Sequence, residues 1–145
     1  LSMGYPDHRS QINILRDRHS ENPLDRVQPV VTKDELLQLI QEARTVEAND
    51  RIFDYVTTLA EATRTHPMVE LGVSPRGALA LCRMAKAHAF LAGRDFVVPE
   101  DVAAVFPDVC AHRLILSAKA RMMEEKAENI LSEILKSVDM PVLKA

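Results

Sequence analysis

Residues 75–92, PRGALALCRMAKAHAFLA, constrain this chain more than any other stretch. At 100° per residue, Arg76, Arg83, Lys86 and the following Arg94 fall within roughly 80° of one another. Most of the remaining circumference is Ala, Leu, Met, Cys or Phe. A helix apolar over so much of its surface belongs inside other elements, with one narrow basic stripe exposed. Only 4% of the residues are aromatic and there is no Trp, so the surrounding core must come from Leu, Ile, Val, Ala and Met. That composition suits helix-on-helix packing better than a β-sandwich. The expected fold is an all-α helical bundle of about six helices, with helix 75–92 in the middle and Leu79, Cys82, Ala85 and Ala89 buried.

The other helices announce themselves by their caps. Pro6 and Asp7 open a first helix over about 6–19, with Ile12, Leu15 and His19 on one face and Ile14 beside it. A polar loop, HSENPLDRVQP, leads to TKDE at 32–35, a capping box in which Thr32 and Glu35 satisfy each other's backbone. The second helix then runs to about Val46, with Leu36, Leu39, Ile40 and Ala43 inward. Asn49 or Asp50 caps a third helix to about Arg64, whose apolar set is Ile52, Phe53, Val56, Leu59, Ala60 and Thr63. The stretch THPMVELGV reads as a loop, and Gly93 ends the fourth helix. RDFVV and HRLILS read as short extended pieces, so residues 95–98 and 113–116 are expected to pair as at most a small two-stranded β ribbon. Between them PEDV starts a helix at Pro99. A last, continuous helix lies within 117–137, with Met123, Ala127, Ile130, Leu131, Ile134 and Leu135 as its stripe.

A chain of 145 residues with 47% hydrophobic and 27% charged residues is of ordinary globular size and composition. Its net charge of -3 argues against nucleic acid as a partner. No apolar run is long enough to span a membrane and no signal peptide is visible, so a cytoplasmic protein with two reduced thiols, Cys82 and Cys110, is expected. There is no Gly-rich phosphate loop, and the five His and two Cys have no zinc spacing. His88 reads as a partly buried core residue, and His112 as a contact to backbone or a neighbouring carboxylate. The acidic run EEKAE at 124–128 reads as a solvated face. The chain alone carries no complete active site. Its start on Leu1, without a cap, is expected of a piece of a longer chain.

One spot breaks the local rules. Ser74 as N-cap and Pro75 as first helical residue are favourable choices. Arg76 behind them opposes the helix dipole at a cost of about 0.3–1 kcal/mol. Gly77 costs about 1 kcal/mol relative to Ala inside a helix. Either Arg76 is a surface residue paired with a carboxylate such as Glu70, or it points at an anion. A guanidinium at a helix N-terminus makes a bidentate phosphate grip, and Gly77 removes bulk where something large approaches. The competing class is an autonomous binding module whose basic stripe takes a protein or nucleic acid.

GYPD opening a helix, VQPV before the capped second helix, ATRTHPMVELGVSPRGALAL and GRDFVVPEDVAAVFPDVCAHRL together resemble the C-terminal lid of MoxR-type AAA+ ATPases. The resemblance implies that residues 1–5 are the stub of the preceding AAA+ core and hinge, 6–137 the helical lid domain and 138–145 a tail. It implies that Arg76 is the sensor-2 arginine, reaching ATP on the larger domain, with Pro75, Gly77, Tyr5 and Pro6 beside the nucleotide. The P-loop, its magnesium-binding acids and the arginine finger would lie upstream of Leu1. It further implies a homo-oligomeric ring, commonly a hexamer, acting as a chaperone-like remodelling machine in the bacterial cytoplasm beside von Willebrand factor A domain proteins.

Overall fold

The structure, a computed structural model, describes residues 4–17 and 22–142. The chain divides into two compact units, residues 1–38 and 39–145.

In the first unit, helix α1 spans His8–Asp17. Asp7 starts it by accepting a hydrogen bond from the Ser10 amide at 2.8 Å, so the helix begins two residues later than Pro6. His19 lies outside the described residues. A 3-10 helix, Pro23–Arg26, sits in the polar loop. Helix α2, Lys33–Thr45, crosses into the second unit. It starts as its capping box requires: the Glu35 amide donates to Thr32 Oγ1 at 3.2 Å, and the Thr32 amide donates to Glu35 Oε2 at 2.7 Å. The expectation that its apolar residues point inward fails, since Leu36, Leu39 and Ile40 are all exposed. Ile12, Ile14 and Leu15 of α1 are exposed too. Periodicity shows that a helix has an apolar side, not what covers it.

The second unit holds the core. Helix α3, Asp50–Thr65, is capped by Asn49, whose side chain accepts from the Ile52 amide at 3.1 Å. Ile52, Tyr55, Val56, Leu59, Ala60 and Thr63 form its buried stripe, whereas Phe53 is exposed. Then come β1 (Val69–Leu71), α4 (Pro75–Leu91), α5 (Pro99–Cys110), a 3-10 turn (Ala111–Arg113), β2 (Ile115–Leu116), α6 (Ala118–Met122) and α7 (Ala127–Ser137). Seven α-helices and one two-stranded sheet among the described residues confirm the all-α bundle with a small ribbon.

Three expectations need correction. Helix α4 is not enclosed: it packs on α3 and α5, fully burying only Gly77, Leu81, Ala85 and Ala89, with Ala78, Ala80, Cys82 and Phe90 half-buried beside them. Leu79 is 60% exposed and Cys82 half-buried. The ribbon pairs β1 with β2, Val69 opposite Leu116 and Leu71 opposite Ile115, rather than 95–98 with 113–116. Residues 95–97 are already engaged, because the Glu47 amide donates to Asp95 O at 2.8 Å and the Val97 amide to Glu47 O at 2.9 Å. The last helix is two helices. Glu124 takes a positive φ of 53° between them, and Glu125 accepts from the Asn129 side chain at 2.8 Å and the Lys126 amide at 3.1 Å, opening α7. Glu, Lys and Ala are all strong helix formers, so nothing in EEKAE advertised the break. Met123 is exposed at that turn.

One carboxylate joins the C-terminal end of α4 to the start of α5. Asp101 is 1% exposed. Its oxygens accept from Arg94 Nη1 and Nη2 at 2.7 and 2.5 Å and from the Val98 amide at 2.8 Å, and lie 2.7 Å from His88 Nδ1. His88 is therefore a surface residue bound to a buried acid, its side chain 45% exposed, rather than part of the core. Burial acts to raise the Asp101 pKa, but the bonds from Arg94, Val98 and His88 outweigh it and hold the carboxyl at about 2. A carboxyl whose pKa is lowered in the folded state stabilises that state above its unfolded value of about 3.9, and loses this contribution as pH falls towards about 2. Asp101→Asn should therefore cost about 3 kcal/mol at neutral pH and flatten the stability curve between pH 4 and pH 2, measured by urea unfolding across that range.

Candidate functional site

The start of α4 is fixed from the end of α3. Thr63 is fully buried; its hydroxyl donates to Ala60 O at 2.6 Å and accepts from the Val73 amide at 2.8 Å. The next residue, Arg64, donates from Nε to Val73 O at 2.9 Å. Both backbone groups of Val73 are thus held, and its side chain is fully buried. One residue on, Ser74 caps α4 by accepting from the Gly77 amide at 3.2 Å, and Pro75 occupies the first turn.

Arg76 follows on this frame, exposed and without a hydrogen bond or ion pair among the described residues. Glu70, the carboxylate weighed as its partner, lies 3.8 Å from Arg121 instead. Arg76, Pro75 and Gly77 line one open cleft of about 700 Å³ together with Arg64, Glu70, Val73 and Arg113. Tyr5 and Pro6 lie in the first unit, both exposed, ahead of α1.

Gly77 has a different reason from the one its position suggested. It is buried, and a Cβ there would lie 2.7 Å from Val73 Cγ1 and 3.3 Å from Arg113 Cδ. What approaches Gly77 is the chain itself. Arg113 reaches this point from the 3-10 turn, donating from Nη1 to Val109 O at 2.5 Å and to His112 Nε2. His112 thus contacts a neighbouring cation, not the expected backbone or carboxylate. Arg64 and Arg113 were not foreseen at this cleft. Arg64 read only as the end of the third helix and Arg113 only as part of a short extended piece, so neither carried a signal of its own.

The rest of the basic stripe has local work. Lys86 donates to Arg44 O at 3.3 Å and Arg94 is bound to Asp101, so Arg76 and Arg83 alone on that stripe lack a partner among the described residues. Cys82 and Cys110 are free thiols, and burial pushes Cys110 up to about 12, which leaves it inert. No helix among the described residues is long and apolar enough to cross a membrane.

The model of the AAA lid domain matches residues 61–134, half of the chain, including Thr63, Arg64, Val73, the start of α4 and Arg113. The chain belongs to the AAA lid domain family. It is 37% identical over its full length to the uncharacterized protein YeaC of Bacillus subtilis, covering 45% of that protein. It is 29% identical, again over its full length, to chaperone MoxR1 of Mycobacterium tuberculosis, covering 40% of it. A crystal structure from Cytophaga hutchinsonii described as a candidate ATPase superimposes with a TM-score of 0.82 at 30% identity, over 97% of this chain and 45% of that one. This lid is of MoxR type, and it spans about half the length of the relatives it matches.

Arg76 and Gly77 should separate cleanly in stability. Arg76→Ala removes a cation with no partner among the described residues from the wrong end of a helix dipole, and should change the lid's stability by less than about 0.5 kcal/mol. Gly77→Ala drives a methyl against Val73 and should cost about 1–3 kcal/mol. Thermal melting of the two variants checks the pair.

Proposed function

We propose that this lid serves a MoxR-type AAA+ ATPase, in which Arg76 is the sensor-2 arginine and contacts the phosphates of ATP bound by a P-loop domain. The observation that carries the reading is an exposed arginine in the first turn of α4, on a backbone fixed by Thr63 and Arg64, with no partner among the described residues. The helix dipole opposes that charge, and no carboxylate among the described residues offsets it. An anion brought by another domain does both jobs, because helix N-termini and guanidinium forks each favour phosphate. The donor set fits the phosphates and not the magnesium ion: no group of three or more His, Cys, Asp and Glu among the described residues could hold a metal. Magnesium would be held with the nucleotide on the P-loop side.

In such an arrangement the charge that builds on the transferred phosphoryl group meets a preformed cation, which is worth most in a site closed to water. The same contact would report nucleotide state to the lid, and rotation about the Tyr5–Pro6 segment would turn that report into movement. The relative named chaperone MoxR1 supports a chaperone-like remodelling role. A hexameric ring, von Willebrand factor A domain partners and a cytoplasmic location complete the proposal. The alternative of a nucleic-acid-binding module is weakened by the stripe itself, since Lys86 and Arg94 are engaged within the fold.

In the intact ATPase, Arg76→Ala should lower kcat about a hundredfold while weakening nucleotide binding less. Steady-state hydrolysis with a parallel binding titration reads both. Normal turnover in that variant would remove Arg76 from the mechanism.

A further inference from the structure

We propose that the cleft at the start of α4 is a three-arginine polyphosphate site, in which Arg64 and Arg113 contact the same phosphate chain as Arg76. The inference rests on the sensor-2 reading and extends it to two residues from other elements. Arg64 comes from the last turn of α3, Arg76 from the first turn of α4 and Arg113 from the 3-10 turn after α5, and all three line one cleft.

The charge balance of this cleft is unusual for the chain. The protein is net negative, with 21 acidic residues. Yet none of the three arginines has an ion pair among the described residues, and the one acid in the wall, Glu70, faces Arg121 at 3.8 Å. Three like charges in one cleft repel until a multivalent anion enters.

Two glycines let the chain close up beside these arginines. A Cβ on Gly72 would lie 2.7 Å from Arg64 Cα and 2.8 Å from Arg64 Cγ. A Cβ on Gly77 would lie 3.3 Å from Arg113 Cδ. Gly72 thus lets the segment before α4 close on the backbone of α3 at Arg64, and Gly77 lets α4 sit against Val73 and the Arg113 stem.

Each of the two added arginines is also anchored by part of its guanidinium. Arg64 uses Nε on Val73 O; Arg113 uses Nη1 on Val109 O and His112 Nε2. Among the described residues, both terminal nitrogens of Arg64 and the Nε and Nη2 of Arg113 keep their donors free. A fork held by one part and open at the other is preorganised for phosphate oxygens. Three forks exceed the need of one phosphate group and match the phosphate chain of a nucleoside triphosphate.

The test is a titration of the 145-residue chain with inorganic tripolyphosphate, followed by amide NMR shifts, with circular dichroism confirming that each variant folds. Saturable shifts should appear at residues 72–78 and at Arg113, and should weaken with added salt. Arg64→Met and Arg113→Met keep the apolar stems and remove the forks; each should weaken binding about tenfold, as should Arg76→Ala. Arg113→Lys should recover part of the loss, and Arg83→Ala, on the same helix outside the cleft, should bind as the unaltered chain. If Arg76→Ala alone weakens binding, the three-arginine site is wrong while the sensor-2 reading stands; that reading fails separately, on turnover of the intact enzyme. Equal loss in Arg83→Ala, or tighter binding of a single-stranded oligonucleotide than of tripolyphosphate, would also overturn the site.

Discussion

Val73 is gripped at both its backbone groups by consecutive residues of α3, Thr63 on the amide and Arg64 on the carbonyl, while its side chain is sealed in the core. A loop residue with one such bond can still pivot; with two, and a buried side chain, it cannot. The next residue is the N-cap of α4, so the position of the whole helix start is inherited from α3. The Thr63 hydroxyl is fully buried and both donates and accepts, and leaving its partners unsatisfied would cost about 1–3 kcal/mol each. A residue that looked like one more member of an apolar stripe is therefore the joint on which the cleft is built.

The far end of α4 is fixed by different chemistry. Gly93, at a φ of 75°, turns the chain, and Arg94 then reaches Asp101 under the first turn of α5. A buried carboxylate is tolerated there because its oxygens are met by a guanidinium, a backbone amide and a histidine. Between these two fixed ends α4 buries only its Gly77, Leu81, Ala85 and Ala89 edge, and small residues at three of those four positions let α3 and α5 approach closely. Rigidity at the helix start is what a cation needs if it is to meet a phosphate without reorganising.

The sequence declared the helices through their caps. Thr32 with Glu35, Asn49 and Ser74 with Pro75 each form the bonds their spacing implied. Faces were harder to read than ends. Leu79, Leu36 and Ile40 carry helical periodicity yet face solvent, since a period names a side without naming its cover. The β ribbon was misassigned because its pairing is non-local. Val69 meets Leu116 and Leu71 meets Ile115 across the whole of α4 and α5, and short strands have no pattern that selects a distant partner. At the cleft, Arg76 was visible as a broken local rule. Arg64 and Arg113 broke none, and only the folded chain brings them to the cleft that Arg76 lines.

The central claim is that Arg76 has no partner among the described residues because its partner is a phosphate held by another domain. A crystal structure of the intact ATPase with a non-hydrolysable ATP analogue tests it most directly. The account predicts the Arg76 guanidinium within about 3 Å of a phosphate oxygen, the spacing of a charge-assisted hydrogen bond. An Arg76 that faces solvent or pairs with a carboxylate, while nucleotide fills the P-loop, would contradict it.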